Sequence, residues 1–257
     1  MAVLQPHPQQ WHIAASGSST SSHVSVWNIE SGMQVRKLPG MNGHTTAISV
    51  NESTLAWAEQ FSLSLNSHLT VHELERGEQL FATPLSGAAT CLEMLASEPM
   101  LCVGAGSCAY LYDQRFTAKV AMLYTAPGSS IKCAAFSACE RLLLCGSSDN
   151  SLTIYDRRKP GHALHRLAHE TVVPSTTGVS SACWLPEQGF VLSGGEEGAA
   201  RVWDVRLGQP LVATLPAVRP VTPIVRVAAN PYGTAVATGG QQGLVALYSP
   251  PGLRYGL

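Results

Sequence analysis

Charged residues are scarce in this chain. Lys and Arg number 16 and Asp and Glu 17, which is 13% charged, against the ~25% usual for soluble domains, and the formal net charge is −1. So neutral a chain lacks the basic stripe that displaces counterions from phosphates, which argues against a dedicated nucleic-acid binder. Its one basic cluster, Arg157-Arg158-Lys159, reads as a solvated turn. Long apolar runs are missing too: nothing reaches the ~18 consecutive apolar residues of a helical membrane span, and Met1 to Gln10 lacks the basic and apolar regions of a signal peptide. The seven cysteines are odd in number and without paired short spacings, which fits a reducing compartment. These absences together predict an intracellular protein, cytoplasmic or nuclear, with no membrane contact.

What the chain does have is recurrence. Six short β-type runs end on an aromatic or its stand-in, at Trp27, His72, Tyr112, Tyr155, Trp203 and Tyr248, at intervals of 45, 40, 43, 48 and 45 residues. In runs such as Leu152-Thr153-Ile154-Tyr155-Asp156 and Ala200-Arg201-Val202-Trp203-Asp204, apolar residues are adjacent instead of strictly alternating, as in a strand buried on both faces. Ten residues upstream of four aromatics stand Cys102, Cys145, Ser193 and Thr238, three of them followed by Gly146 to Asn150, Gly194 to Gly198 and Gly239 to Gly243. Gly, Asn and Asp tolerate the positive φ of tight turns, so each repeat is expected to contain a hairpin. Further upstream, segments such as Ile131 to Ala134 supply another strand, and downstream segments such as Pro210 to Thr214 supply a fourth. A four-stranded unit with this period cannot bury its own faces and must stack on its copies.

These units resemble WD repeats of the β-propeller superfamily. Trp203-Asp204 is the signature dipeptide, Tyr112-Asp113 and Tyr155-Asp156 are variants of it, and Gly43-His44 is similar to the Gly-His that opens a repeat. The resemblance implies an all-β fold: one WD-repeat domain over 1–257, with repeats of roughly 1–40, 41–84, 85–125, 126–168, 169–215 and 216–257. His44, Trp27, Tyr112, Asp113, Asp149, Tyr155, Asp156, Trp203, Asp204 and Tyr248 form its structural signature. No repeat carries the full set of Gly-His, turn Asp and Trp-Asp, so the hydrogen-bond network of Asp, His, Ser and Trp that stiffens such blades is expected to be incomplete. The second repeat, ending in His72-Glu73, is expected to be the loosest. Six units of about 44 residues fit 257 better than seven, and Gly252 to Leu257 barely make a sixth fourth strand. The chain is thus either a compact six-bladed ring or an open piece of a larger one.

Residues that resemble chemistry mostly follow the repeat. Cys91, Cys102, Cys133, Cys145 and Cys183 recur in step with the aromatics, as core packing would and a catalytic thiol would not; Cys108 and Cys139 are assigned to turns. His162, His165 and His169 lie close together, but beside Pro160 and Gly161 they do not converge as zinc ligands would, and His169 reads as a degenerate cap of the fifth repeat. Asp149 reads as a turn residue holding backbone amides. No catalytic residue, metal or cofactor is implied, and the expectation is a non-enzymatic protein-interaction scaffold or adaptor that presents its faces to other proteins.

One pattern exceeds scaffold. Three consecutive repeats end in an aromatic, Asp, any residue and Arg: Tyr112 to Arg115, Tyr155 to Arg158 and Trp203 to Arg206. This is similar to the DWD box of WD-repeat substrate receptors on the adaptor of cullin-type ubiquitin ligases. The resemblance implies that Arg115, Arg158 and Arg206 are candidate partner-binding residues, and that a ligase receptor is the alternative function. Arg offers a planar fork of donors suited to interface carboxylates and carbonyls. The Ser-rich stretch Ser16 to Ser22 is read as a long flexible loop between two strands of the first repeat.

Overall fold

The computed structural model describes residues 2–6, 13–18, 23–61, 66–116, 118–124, 128–169, 178–187, 189–215 and 222–249. These hold strands and turns and no helix, and therefore no helix long and apolar enough to cross a membrane. The chain divides into two compact units, Met1–Tyr124 and Thr125–Leu257.

The first unit contains three four-stranded sheets. They are β1 (Ala2–Pro6), β2 (Ile13–Ser18), β3 (His23–Asn28) and β4 (Gln34–Pro39); β5 (His44–Val50), β6 (Thr54–Gln60), β7 (Ser67–Glu73) and β8 (Gln79–Leu85); and β9 (Ala89–Met94), β10 (Met100–Ala105), β11 (Cys108–Asp113) and β12 (Ala118–Tyr124). The second unit continues with β13 (Ile131–Phe136), β14 (Leu142–Ser147), β15 (Ser151–Asp156) and β16 (Ala163–Ala168), then β17 (Val179–Trp184), β18 (Phe190–Gly195), β19 (Ala200–Asp204) and β20 (Leu211–Leu215). Its last sheet has three strands among the described residues, β21 (Ile224–Ala229), β22 (Val236–Gly240) and β23 (Val245–Tyr248). The fourth strand expected in Gly252 to Leu257 lies outside the described residues.

Every sheet is an antiparallel meander of chain neighbours. Within a unit, the first strand of each sheet packs against the first and second strands of the sheet before it: β5 on β1 and β2, β9 on β5 and β6, β17 on β13 and β14, β21 on β17 and β18. The middle strands are therefore covered on both faces: β10, β11, β15 and β18 are buried along their whole length, and β14 in all but its first residue. This is why their apolar residues run consecutively. One core in the second unit joins Leu144 and Ile154 to Val191 and Trp203, and another joins Leu192 and Val202 to Ile224 and Val236. Each such side chain contributes about 1.5–3 kcal/mol by leaving water. Fourth strands face solvent: in β16 only Leu167 is buried.

The recurrent aromatic marks a defect in pairing. In all five complete sheets the register between third and fourth strands shifts directly before it, at Val26/Trp27, Val71/His72, Leu111/Tyr112, Ile154/Tyr155 and Val202/Trp203. A bulge bends and twists the strand locally, and the large ring sits at that bend. The hairpin turns carry the positive φ anticipated from composition, with Asn150 at 62° and Gly198 at 79°.

Three expectations need correction. Cys102 does not match Cys145: the β10–β11 hairpin is one residue shorter, so Tyr112 faces Leu101 where Tyr155 faces Leu143, and Cys102 is turned to the opposite face by a single step of register. Cys108 is no turn residue; it opens β11 and is buried, whereas Cys139 is exposed in the turn after β13. Ser16 to Ser18 belong to β2, not to a loop, and Ser19 to Ser22 lie outside the described residues.

Candidate functional site

The turn between β18 and β19 anchors the fifth sheet through a chain of four side chains. Trp203 at the end of β19 donates its indole Nε1–H to Ser193 Oγ on β18 at 2.7 Å, and Ser193 Oγ lies 2.7 Å from His169 Nε2 in the segment before β17. His169 Nδ1 contacts Glu197 in the hairpin turn, and Glu197 also pairs with Arg201. A carboxylate only accepts, so Nδ1 carries the proton and Nε2 accepts from the Ser193 hydroxyl. Every donor in the chain then has a partner, which is the condition under which buried polar groups stabilise. The network expected to be incomplete is thus complete here, with a glutamate in the turn position. Glu197 stands six residues before Trp203, as Asp149 stands six before Tyr155, and that spacing was the available signal.

Electrostatics fix its protonation. Burial outweighs the Glu197 contact and holds His169 below its ordinary range, so the ring is neutral. Burial by itself would raise the Glu197 carboxyl, but His169 and Arg201 together hold it below the usual range. Arg201 is therefore the cation of the group. A base with a lowered folded-state pKa contributes stability that is full above its ordinary ~6.5 and is lost as pH falls through the lowered value. Urea unfolding is expected to show stability declining as pH drops below 6.5, ahead of carboxylate protonation, with a flatter profile in His169→Gln.

The same pair occurs in the first sheet, where Trp27 Nε1 donates to Ser16 Oγ at 2.7 Å. The other sheets depart from it. In the fourth, Cys145 occupies the serine position and Tyr155 the indole position; Asp149 accepts from Ser151 N at 3.1 Å, Ser151 Oγ at 2.6 Å and Arg166 Nη2 at 2.9 Å. Asp149 holds its own turn and the fourth strand. In the third, Tyr112 is buried and packs on Phe81. In the sixth, Tyr248 packs against the core formed with the fifth sheet. In the second, the large ring has changed strands: Trp57 on β6 takes the serine position, and its ring stacks on His72 at 4.8 Å between centroids. His44 opens β5, half-buried, opposite Gln60. The carboxylate there is Glu59, wholly buried; its Oε2 accepts from Met41 N at 2.7 Å, and burial pushes its pKa up. No spacing rule pointed to Glu59.

The three Asp-x-Arg ends are not alike. Arg115 forks onto Asp113, with Nε on Oδ1 at 3.0 Å and Nη2 on Oδ2 at 2.6 Å, and lies over the Phe116 ring. Arg206 forks onto Asp204 in the same way, at 2.8 Å for both bonds, over the Phe190 ring. In each case the arginine's side-chain hydrogen bond holds the aspartate below the usual carboxylate range. Asp156 instead accepts from Arg141 Nε at 2.9 Å and from the backbone N–H of Arg158. The Arg158 side chain is exposed; the Arg158 backbone N–H and the Arg141 side chain hold Asp156 below the usual carboxylate range, and the Arg158 charge adds to that from solvent. Arg157 turns inward, its Nε donating to Glu140 O at 2.5 Å. Arg115 belongs to the first unit, and Arg158 and Arg206 to the second. Among the described residues no group of three or more His, Cys, Asp or Glu is placed to hold a metal ion.

Antiparallel meanders stacked first strand on first strand within each unit, three of them with an aromatic and Asp closing the third strand, are the blade architecture of WD-repeat proteins. The WD domain, G-beta repeat family matches residues 119–156 and 164–204, so the chain carries WD repeats. Each match begins in the fourth strand of one sheet and ends at the closing Asp of the next. Among curated proteins, the chain is similar to Telomerase protein component 1 of Mus musculus, 23% identical over 229 residues, 88% of this chain and 8% of that protein. It is also similar to Rik1-associated factor 1 of Schizosaccharomyces pombe (30% identical over 115 residues, 40% of this chain, 18% of that protein). A third relative is the U3 snoRNP-associated protein-like EMB2271 of Arabidopsis thaliana (26% over 207 residues, 75% of this chain, 42% of that protein). The chain therefore spans less than half the length of any of these three.

Proposed function

We propose that this chain is a non-enzymatic protein-interaction module of a multiprotein assembly. The observation that carries this reading is the fate of its polar residues. Those that resemble chemistry, His169, Ser193, Glu197 and Asp149, hydrogen-bond to one another or to their own turns, whereas cationic side chains such as Arg158 project into solvent. The names of the relatives tie them to telomerase, to Rik1 and to a U3 snoRNP, and membership of an assembly agrees with the reading proposed here. Loops on a repeated frame vary without disturbing it, which suits recognition.

The narrower alternative, a substrate receptor on a cullin-ligase adaptor, rests on Asp-x-Arg. Two of those arginines already grip their own aspartates, so Arg158 is the residue on which it turns. Affinity capture of the full chain from cells is expected to recover stoichiometric protein partners. Recovery of the chain alone would overturn the module reading, and partner recovery without a cullin adaptor would remove the alternative.

A further inference from the structure

Within the second unit, a groove of about 540 Å³ runs between β16 on one side and β19 and β20 on the other, a size typical of ligand sites. Arg166 and Leu167 of β16, Arg201 and Trp203 of β19, and Pro210 and Leu211 at the start of β20 line it. Two guanidinium groups and no carboxylate line it. The carboxylates that pair with them, Asp149 and Glu197, sit in the hairpin turns outside the lining. Arg166 binds Asp149 through Nη2 alone; its Nε and Nη1 donors have no partner among the described residues, and its side chain is 58% exposed. Leu211, about half exposed, adds an apolar wall. β16 and β20 are the outermost strands of their sheets, each hydrogen-bonded on one side, and such edges accept an added strand.

We propose that this groove binds an extended peptide segment of a partner protein, with an acidic side chain, carboxylate or phosphate, held by Arg166. The proposal rests on the module reading above and names its surface and the chemistry of its occupant. An edge strand beside an apolar wall suits a peptide backbone and an aliphatic side chain. The indole, 3% exposed, offers no open face on which a nucleotide base could stack. Arg at a rim with unused donors selects planar or tetrahedral oxyanions over neutral groups.

The test is a selection of random decapeptides displayed on phage against the full chain, followed by fluorescence polarisation with the synthetic winners. Winners are expected to carry an acidic residue and to lose at least tenfold in affinity when it becomes the amide. The same loss is expected in Arg166→Gln and in Leu211→Asp, each shown folded by its thermal transition. Exchanging the acid for phosphoserine decides the source: tighter binding marks a phosphorylated partner, weaker binding a carboxylate. No winners, neutral winners, or winners indifferent to both variants would overturn the proposal, as would a single-stranded RNA dodecamer that binds through Arg166 where no peptide does. If Arg166→Gln still captures the full set of cellular partners, the groove is wrong and the module stands; if wild type captures none, the module reading itself fails.

Discussion

Trp203→Ala should lower the free energy of unfolding by about 3–5 kcal/mol, the range for removing a large buried aromatic. Trp203 is 3% exposed, packs with Leu144, Ile154 and Val191, and donates the hydrogen bond that orients Ser193. Trp203→Phe separates these contributions. It keeps most of the packing and removes the indole N–H, leaving Ser193 Oγ without its donor, so the expected loss is about 1–3 kcal/mol, that of an unsatisfied buried group. Ser193→Val in that background should add less than it does alone, because the two side chains share one network. Chemical denaturation of the four proteins at pH 7.5 supplies the cycle; additive losses would show that Trp203 acts by packing alone.

The second large effect falls in the first unit. Trp57→Ala should cost about 3–5 kcal/mol on the same grounds, since Trp57 is fully buried among Val24, Val26, Ile48 and Leu55 and stacks on His72. The lack of an aromatic-Asp ending made this sheet the expected weak point. Its packing points the other way: six of the seven residues of β6 are buried, and the His72 ring donates Nδ1–H to Gly77 O at 3.2 Å, fixing the turn after β7, although Trp57 Nε1, Thr70 Oγ1 and His72 Nε2 are buried there with no hydrogen-bond partner among the described residues. Amide exchange should find β6 and β7 as protected as β18 and β19. Exchange in the second sheet well ahead of the fifth would restore the original expectation.

Much of the fold was legible because its signals are periodic. The five closing aromatics with His72 as their stand-in, the hairpin glycines and the doubly buried middle strands all follow from one unit repeated, and register turns period into position. What escaped was substitution inside the frame. Glu197 does in its turn what an aspartate does in the family pattern, but glutamate in a Gly-Gly-Glu-Glu-Gly turn also reads as ordinary solvation. The exchange of a small residue for Trp57, and of an aromatic for His72, needs two strands to be compared across their pairing, which linear spacing does not show. Cys102 was misplaced by a hairpin one residue shorter than that of the fourth sheet, because a strand reverses faces at every residue. At the arginines, sequence places Arg158 beside Asp156 as it places Arg206 beside Asp204. Only the fold shows Arg141, fifteen residues upstream, taking the carboxylate and leaving Arg158 exposed.

The central claim is that the repeated polar residues hold the sheets while recognition belongs to side chains outside that pattern. Quantitative affinity capture, run at equal concentrations of folded protein for wild type, Arg158→Ala and Ser193→Val, tests it directly. Arg158→Ala should keep the wild-type thermal transition and lose at least one partner. Ser193→Val, less stable but folded at 10 °C, should retain them all. Partners lost from Ser193→Val and kept by Arg158→Ala would contradict the account.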